Sequence, residues 1–169
     1  MSHLLDTNVI SELRKPQANP HVQAWFAPVA GDDLYLGVLT VGEVRRGIER
    51  LRRRDPAQAG VFEAWLASLQ RQYADRLLAV TAEIADEWGR LNVPDPTPTV
   101  DGLLAATARV RGLVLVTRNT ADRARTGVRL LGPFASSGRG GGWRRIEGPV
   151  LPLGELVAEE PPERGVQRP

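Results

Sequence analysis

Asp6, Glu43 and Asp101 are the residues of this sequence best suited by type and position to do chemistry. Asp6 ends the short apolar run His3-Leu4-Leu5 and is followed by the small polar residues Thr7 and Asn8. Glu43 closes Thr40-Val41-Gly42-Glu43 at the start of a helical pattern, and Asp101 falls in the first turn of a nearly all-apolar one, Leu103 to Val110. In a parallel sheet, strand ends and the starts of the following helices share one edge, so acids far apart in sequence can meet there. Converging carboxylates suit a hard divalent cation such as Mg²⁺ or Mn²⁺, which takes oxygen ligands, keeps several waters and binds phosphates.

Each acid also admits a purely structural role. Thr40 to Glu43 has the spacing of a helix capping box, and an acid at Asp101 complements the helix dipole. Asp6 could form an Asx turn or cap the helix that runs through Val9, Ile10 and Leu13. Thr117-Arg118-Asn119-Thr120-Ala121-Asp122 follows a strand pattern, so Asn119 and Asp122 are either turn formers or further site ligands. The arginines Arg45, Arg46, Arg50 and Arg52 to Arg54 could meet a phosphate backbone, or could form a solvated helix end. His3 and His21 have no partner spaced to complete a zinc site, and neither a phosphate-binding glycine loop nor a nucleophile elbow is present.

The elements that must position these residues are legible as alternation of two patterns. Five apolar runs read as strands: His3 to Leu5, Leu34 to Leu39, Leu77 to Val80, Leu113 to Thr117 and Val128 to Leu131. Most lack polar alternation, as expected of strands buried on both faces of a parallel sheet. Between them lie helical patterns: one beginning after Thr40 with Val44, Ile48 and Leu51 as its stripe, one from Pro56 to Arg76, one from Thr81 to Leu91 and one from Thr99 or Val100. In the Pro56 to Arg76 helix, Val61, Phe62, Trp65, Leu66, Leu69 and Tyr73 form a stripe expected to meet a neighbouring helix or a second subunit. Ile84, Ala85, Trp88 and Leu91 are expected to face inward from the next. The order predicts an α/β fold, a three-layer α/β/α domain with a central parallel sheet of about five strands.

Length and composition agree with one domain and a sizeable core. Absence of cysteine removes disulfides and thiolate metal sites and accords with a reducing cytoplasm. No run of apolar residues is long enough to span a membrane, and no secretion signal is expected. The net charge is only +2, but Lys15 is the sole lysine, so the positive charge is almost all arginine, a residue suited to bidentate phosphate binding. Beyond Phe134 the composition turns to Gly, Ser, Pro and mixed charge. Residues 1–134 are expected to form the folded domain and 135–169 a loosely ordered tail, with Trp143 and Leu151 to Val157 as a possible docking segment.

Four segments, Leu5-Asp6-Thr7-Asn8-Val9-Ile10-Ser11-Glu12-Leu13, Thr40 to Ile48, Val100 to Ala108 and Leu115 to Asp122, resemble in order and spacing the motifs of PIN-domain proteins, and specifically the VapC-type (FitB-like) toxins of bacterial type II toxin–antitoxin modules. The resemblance covers about residues 3–134. It implies a metal-dependent endoribonuclease that leaves 5′-phosphate and 3′-hydroxyl ends, usually a homodimer, held inactive by a VapB-type antitoxin. It matches Asp6, Glu43 and Asp101 to three acids that bind Mg²⁺, Asn119 to a fourth acid or asparagine, Thr117 to a small hydroxyl residue and Asp122 to the acid of an Asp-Phe pair. Thr7 and Asn8 start the helix after Asp6, so that its carboxylate can face the groove. Arg123 departs from the pattern by replacing that Phe, which bears on local packing and removes no ligand; the continuation past Phe134 is a second departure. An RNA- or antitoxin-binding protein without cleavage, and a DNA-directed nuclease on the same fold, are the alternatives.

Overall fold

Leu4 and Leu5 leave the first strand in opposite directions, as successive strand residues must, and each begins a separate core. The computed structural model describes residues 1–134; the tail and docking segment expected within 135–169 lie outside the described residues. Strand β1 (His3–Leu5) is central, with β2 (Leu34–Gly37) and β3 (Leu77–Leu78) to one side and β4 (Val114–Val116) and β5 (Leu130–Leu131) to the other, in the order β3-β2-β1-β4-β5. All four pairings are parallel, and Leu5 stands opposite both Leu36 and Val116. The five expected strands are all present, although β2, β3, β4 and β5 are each shorter than the runs predicted for them.

Helices cover both faces, giving the expected three layers. On one face Leu5, Leu34, Leu36 and Val116 pack with buried residues of α1 (Thr7–Leu13), α2 (Pro20–Phe26), α3 (Val38–Arg52) and α4 (Pro56–Gln72), among them Ile10, Val22, Ile48 and Leu66. On the other, Leu4 and Leu115 meet Leu104, Ala105 and Ala108 of α6 (Thr99–Val110), which lies beside α5 (Ala82–Leu91). A final short helix, α7 (Thr120–Arg123), follows β4 and runs into a 3-10 turn, Ala124–Thr126. Among the described residues no helix is long and apolar enough to cross a membrane.

Three details differ from the sequence reading. Helix α3 starts directly from β2 at Val38, and its first turn carries no acid. Thr40 is therefore no cap: it is fully buried inside the helix and donates to the Leu5 carbonyl at 3.5 Å, while Glu43 sits in the second turn. The capping-box reading is thereby overturned, because the strand ends earlier than its apolar run. Gly37, at this junction, lies close to α6: a Cβ there would stand 3.2 Å from Leu104. Within the stripes, Val61 is 65% exposed and Ala85 faces solvent, whereas Leu66, Leu69, Tyr73 and Ile84 are buried as expected.

Asp101 is positioned by how closely α6 approaches α5. A Cβ on the adjacent Gly102 would stand 2.7 Å from both Thr97 Oγ1 and Trp88 Cδ1, so only glycine allows this contact. Gly102→Ala is therefore expected to lower stability by roughly 1–3 kcal/mol, despite alanine's better helix propensity. In α3, Gly47→Ala meets nothing within 4 Å and should instead stabilise by about 0.5–1 kcal/mol. Urea midpoints of the two variants shifting in the same direction would contradict this packing argument.

Candidate active site

The strand order reverses at β1: the chain steps outward through β2 and β3, then crosses to β4 and β5. In open parallel sheets such a switch point leaves a crevice at the carboxyl ends of the two diverging strands, here β1 and β4. Asp6 is the first residue after β1 and Thr117 the first after β4. The Asp6 backbone N–H extends the ladder by donating to Val116 at 3.0 Å, which fixes the start of its side chain.

Asp6 occupies the position that would cap α1, but its side chain makes no cap hydrogen bond. The carboxylate turns instead into the crevice, only 3% of the residue being exposed. Its Oδ2 accepts from Thr117 Oγ1 at 2.6 Å, from Asn8 Nδ2 at 2.9 Å and from Arg123 Nη2 at 2.8 Å. Asn8 is itself anchored, because its Oδ1 accepts from the Arg118 backbone N–H at 3.0 Å. Thr117 Oγ1 likewise accepts from the Asn119 backbone N–H at 3.1 Å.

Asp101 arrives from the first turn of α6 and is part-exposed. Its Oδ1 accepts from the same nitrogen of Arg123 at 2.9 Å. Asp6 and Asp101, ninety-five positions apart in the chain, thus place oxygens within two hydrogen-bond lengths of each other around one positive charge. Glu43 approaches from α3 on the other side of Asp6. Its Oε2 accepts from Thr7 Oγ1 at 2.5 Å, and Arg46 pairs with it more loosely at 3.5 Å. Two of the three expected acids are therefore brought together directly, and the third is tied to the residue that follows Asp6. Among the described residues, no three acid or histidine side chains gather closely enough to hold a metal ion as they stand.

The remaining sequence candidates divide. Asn119 is exposed and its part here is the backbone bond to Thr117. Asp122 is exposed on an open hollow of about 450 Å³, between Thr97, Pro98 and Asp101 on one wall and Ala121, Arg123 and Arg125 on the other. His3 packs edge-on against Trp25 with centroids 5.4 Å apart, and His21 is exposed. Within the arginine run, Arg45 and Arg52 each reach Glu63 at 2.7 Å and so bind α3 to α4.

Two residues central to this geometry were not singled out from sequence. Arg123 is 3% exposed and joins the two acids; sequence flagged it only as a replacement for an apolar residue. Glu12 is also buried, and it receives Lys15 and Arg118, each at 2.8 Å, and the Asn19 backbone N–H at 3.0 Å. Through Arg118, which also lies over the Phe134 ring at 4.3 Å, Glu12 steadies the loop that carries Thr117 and Asn119. The only sequence signal for it was an acid on the inward face of α1.

The hydrogen bond from Lys15 is the main cause holding the Glu12 carboxyl below its usual value of 4.5; burial opposes the lowering, and Asn19 and the neighbouring charges add to it. A depressed folded-state value means that the stabilisation is fully present above the unfolded value and is lost as pH falls through the folded one. Glu12→Gln is accordingly expected to flatten the decline of stability below pH 4.5, measured by urea unfolding across pH. An unchanged acid limb would contradict this assignment.

The comparisons with known proteins fit this geometry. The model of the PIN domain family matches residues 3–126. The chain is 32% identical over 136 residues to Toxin FitB of Neisseria gonorrhoeae, an alignment covering 78% of this chain and 97% of that one. It is 32% identical over 145 residues to VapC ribonuclease Y4jK of Sinorhizobium fredii, covering 78% and 96%. The crystal structure of FitAcB from Neisseria gonorrhoeae contains a chain that superposes with a TM-score of 0.72 at 31% identity, covering 78% of this chain and 98% of that one. With a family match across most of its length, a parallel sheet of five strands and acids gathered at its switch point, this chain belongs to the PIN-domain family, among relatives that include FitB- and VapC-type proteins.

Proposed function

We propose that this chain is the toxin of a type II toxin–antitoxin module, a Mg²⁺-dependent endoribonuclease that hydrolyses RNA phosphodiester bonds and is neutralised by a VapB-type antitoxin. The observation that carries the reading is the convergence of Asp6 and Asp101 on one cationic nitrogen in the β1/β4 crevice. The names of the relatives, a toxin and a ribonuclease, supply its class. Homodimerisation is part of the same proposal.

The donor set fits a hard divalent cation. Both converging groups are carboxylates, and the space between them already accommodates a positive charge, the Arg123 guanidinium. Asp6 and Asp101 would hold Mg²⁺ or Mn²⁺, with Glu43 alongside, directly or through water. Bound there, the ion supplies charge neutralisation at a phosphate and activation of a water.

The chain's own residues do the positioning. Thr117 and Asn8 hold the Asp6 carboxylate in one orientation by donating to the same oxygen, and hydrogen-bonding partners of that kind fix a ligand before the ion arrives. Thr7 performs the same service for Glu43. The hollow beyond Asp101 leaves space at the mouth of the crevice, with Asp122 on its rim. Single-stranded or looped RNA is the substrate form whose backbone and bases can enter such an edge.

One observation favours a binding role without cleavage: Arg123 already offsets part of the charge of Asp6 and Asp101, so their retention does not by itself demand a metal. A purified, antitoxin-free sample with Mg²⁺ or Mn²⁺ separates the readings when single-stranded RNA, structured RNA and DNA are offered side by side. Cleavage of RNA, abolished by EDTA, is expected. Asp6→Asn should lower the rate at least about 100-fold and Thr117→Val by roughly 10–100-fold, both folded by circular dichroism. RNA bound but uncut would favour the binder, preferential cutting of DNA would favour the DNA-directed nuclease, and cleavage persisting in EDTA would end the metal mechanism.

A further inference from the structure

Arg123 is an unusual occupant of an acidic crevice. Its side chain is 4% exposed, and one of its nitrogens lies 2.8 Å from Asp6 and 2.9 Å from Asp101. Its Nε and Nη1 are buried and find no hydrogen-bond partner among the described residues. The guanidinium is therefore held by the two acids rather than by a wider network. A buried arginine satisfied through a single nitrogen is also under-bonded, since the group carries five donors.

We infer that Arg123 is a tethered counter-cation that competes with the divalent ion for Asp6 and Asp101, so that the described conformation is a partly self-neutralised, closed form of the site. This inference rests on the metal-dependent reading of the same site. A guanidinium and a divalent ion cannot both lie between these carboxylates: two like charges there would repel, and the oxygens facing the guanidinium would have to turn to the metal.

The architecture gives the displaced side chain somewhere to go. Arg123 is the last residue of α7, which has a single turn and passes at once into the 3-10 turn Ala124–Thr126. The open hollow beside it is lined by Arg123 itself and by the acid Asp122, next to solvent. Swinging out would return the charge to water, while an incoming divalent ion would balance both carboxylates, Asp6 and Asp101. The apparent affinity for the ion is then reduced by the fraction of molecules in which the arginine is in place.

The test is a titration of the full, antitoxin-free chain with Mn²⁺, read by electron paramagnetic resonance and by the shift in melting temperature, in the wild type and in Arg123→Met and Asp6→Asn. Arg123→Met, which keeps length and apolar bulk without charge, should bind Mn²⁺ about tenfold more tightly or better, and its melting temperature should depend more on Mn²⁺. Asp6→Asn should lose the site. A second measurement needs no variant: in ¹⁵N-labelled wild type, the protected Arg123 Nε–H signal should move to that of a solvent-exposed arginine as Mg²⁺ is added. Loss of binding in Asp6→Asn with equal affinity in wild type and Arg123→Met would overturn the arginine's role alone, as would an Arg123 signal that stays put at saturating Mg²⁺. Mn²⁺ binding indifferent to Asp6→Asn would remove the cation site and both readings with it.

Discussion

A carboxylate buried at the end of a central strand is the constraint on which the rest of this site depends. Taking Asp6 out of water costs several kcal/mol unless its charge is matched and its oxygens are bonded. The fold meets that cost from three separate elements: Asn8 from α1, Thr117 from the end of β4 and Arg123 from α7, all on a single oxygen. Each has its own support, so the arrangement extends outward. Asn8 is held by the Arg118 backbone, Arg118 by Glu12, and Glu12 by Lys15 and the start of the segment that leads into α2.

Sheet topology decides where this arrangement is possible. Because β1 is flanked on both sides and the strand order reverses between it and β4, the segments that follow these two strands diverge, and Asp6 and Thr117 stand at the crevice between them. Helix α6 brings Asp101 to the same edge from the opposite layer, and Gly102 lets it come close enough against Trp88. The site is therefore built from both layers, and the sheet fixes its spacing.

How much of this could be read from the sequence follows from the range of the forces involved. The strands and helices were legible because their apolar patterns are local, and the four motif segments named the acids by position. Helix α3 begins three residues earlier than its sequence pattern predicts, because a run such as Leu36-Gly37-Val38-Leu39 is equally apolar as strand or as buried helix. Glu12 and Arg123 were missed for a different reason: each is charged and buried, and a charged side chain is buried only when distant partners compensate it. Glu12 needs Arg118, and Arg123 needs Asp6 and Asp101, contacts that no local pattern announces. The arginine at 123 was visible as an anomaly, but what it touches was not.

That anomaly also alters the meaning of two acids meeting in one crevice. Carboxylates kept close together against their repulsion ordinarily argue for a metal, because something positive must hold them. Here part of the positive charge comes from the chain itself. An arginine in that role differs from a free ion in being present at fixed stoichiometry, whatever the surrounding metal concentration. It also differs in shape: a planar fork meeting two separate carboxylates through one nitrogen leaves its other donors unspent, whereas a small ion takes oxygens from every side. The arginine can therefore keep the two carboxylates from repelling each other apart without matching a metal's coordination. It is a good resting occupant and a poor permanent one, which is the combination required of a group that must yield when the ion and a phosphate arrive together.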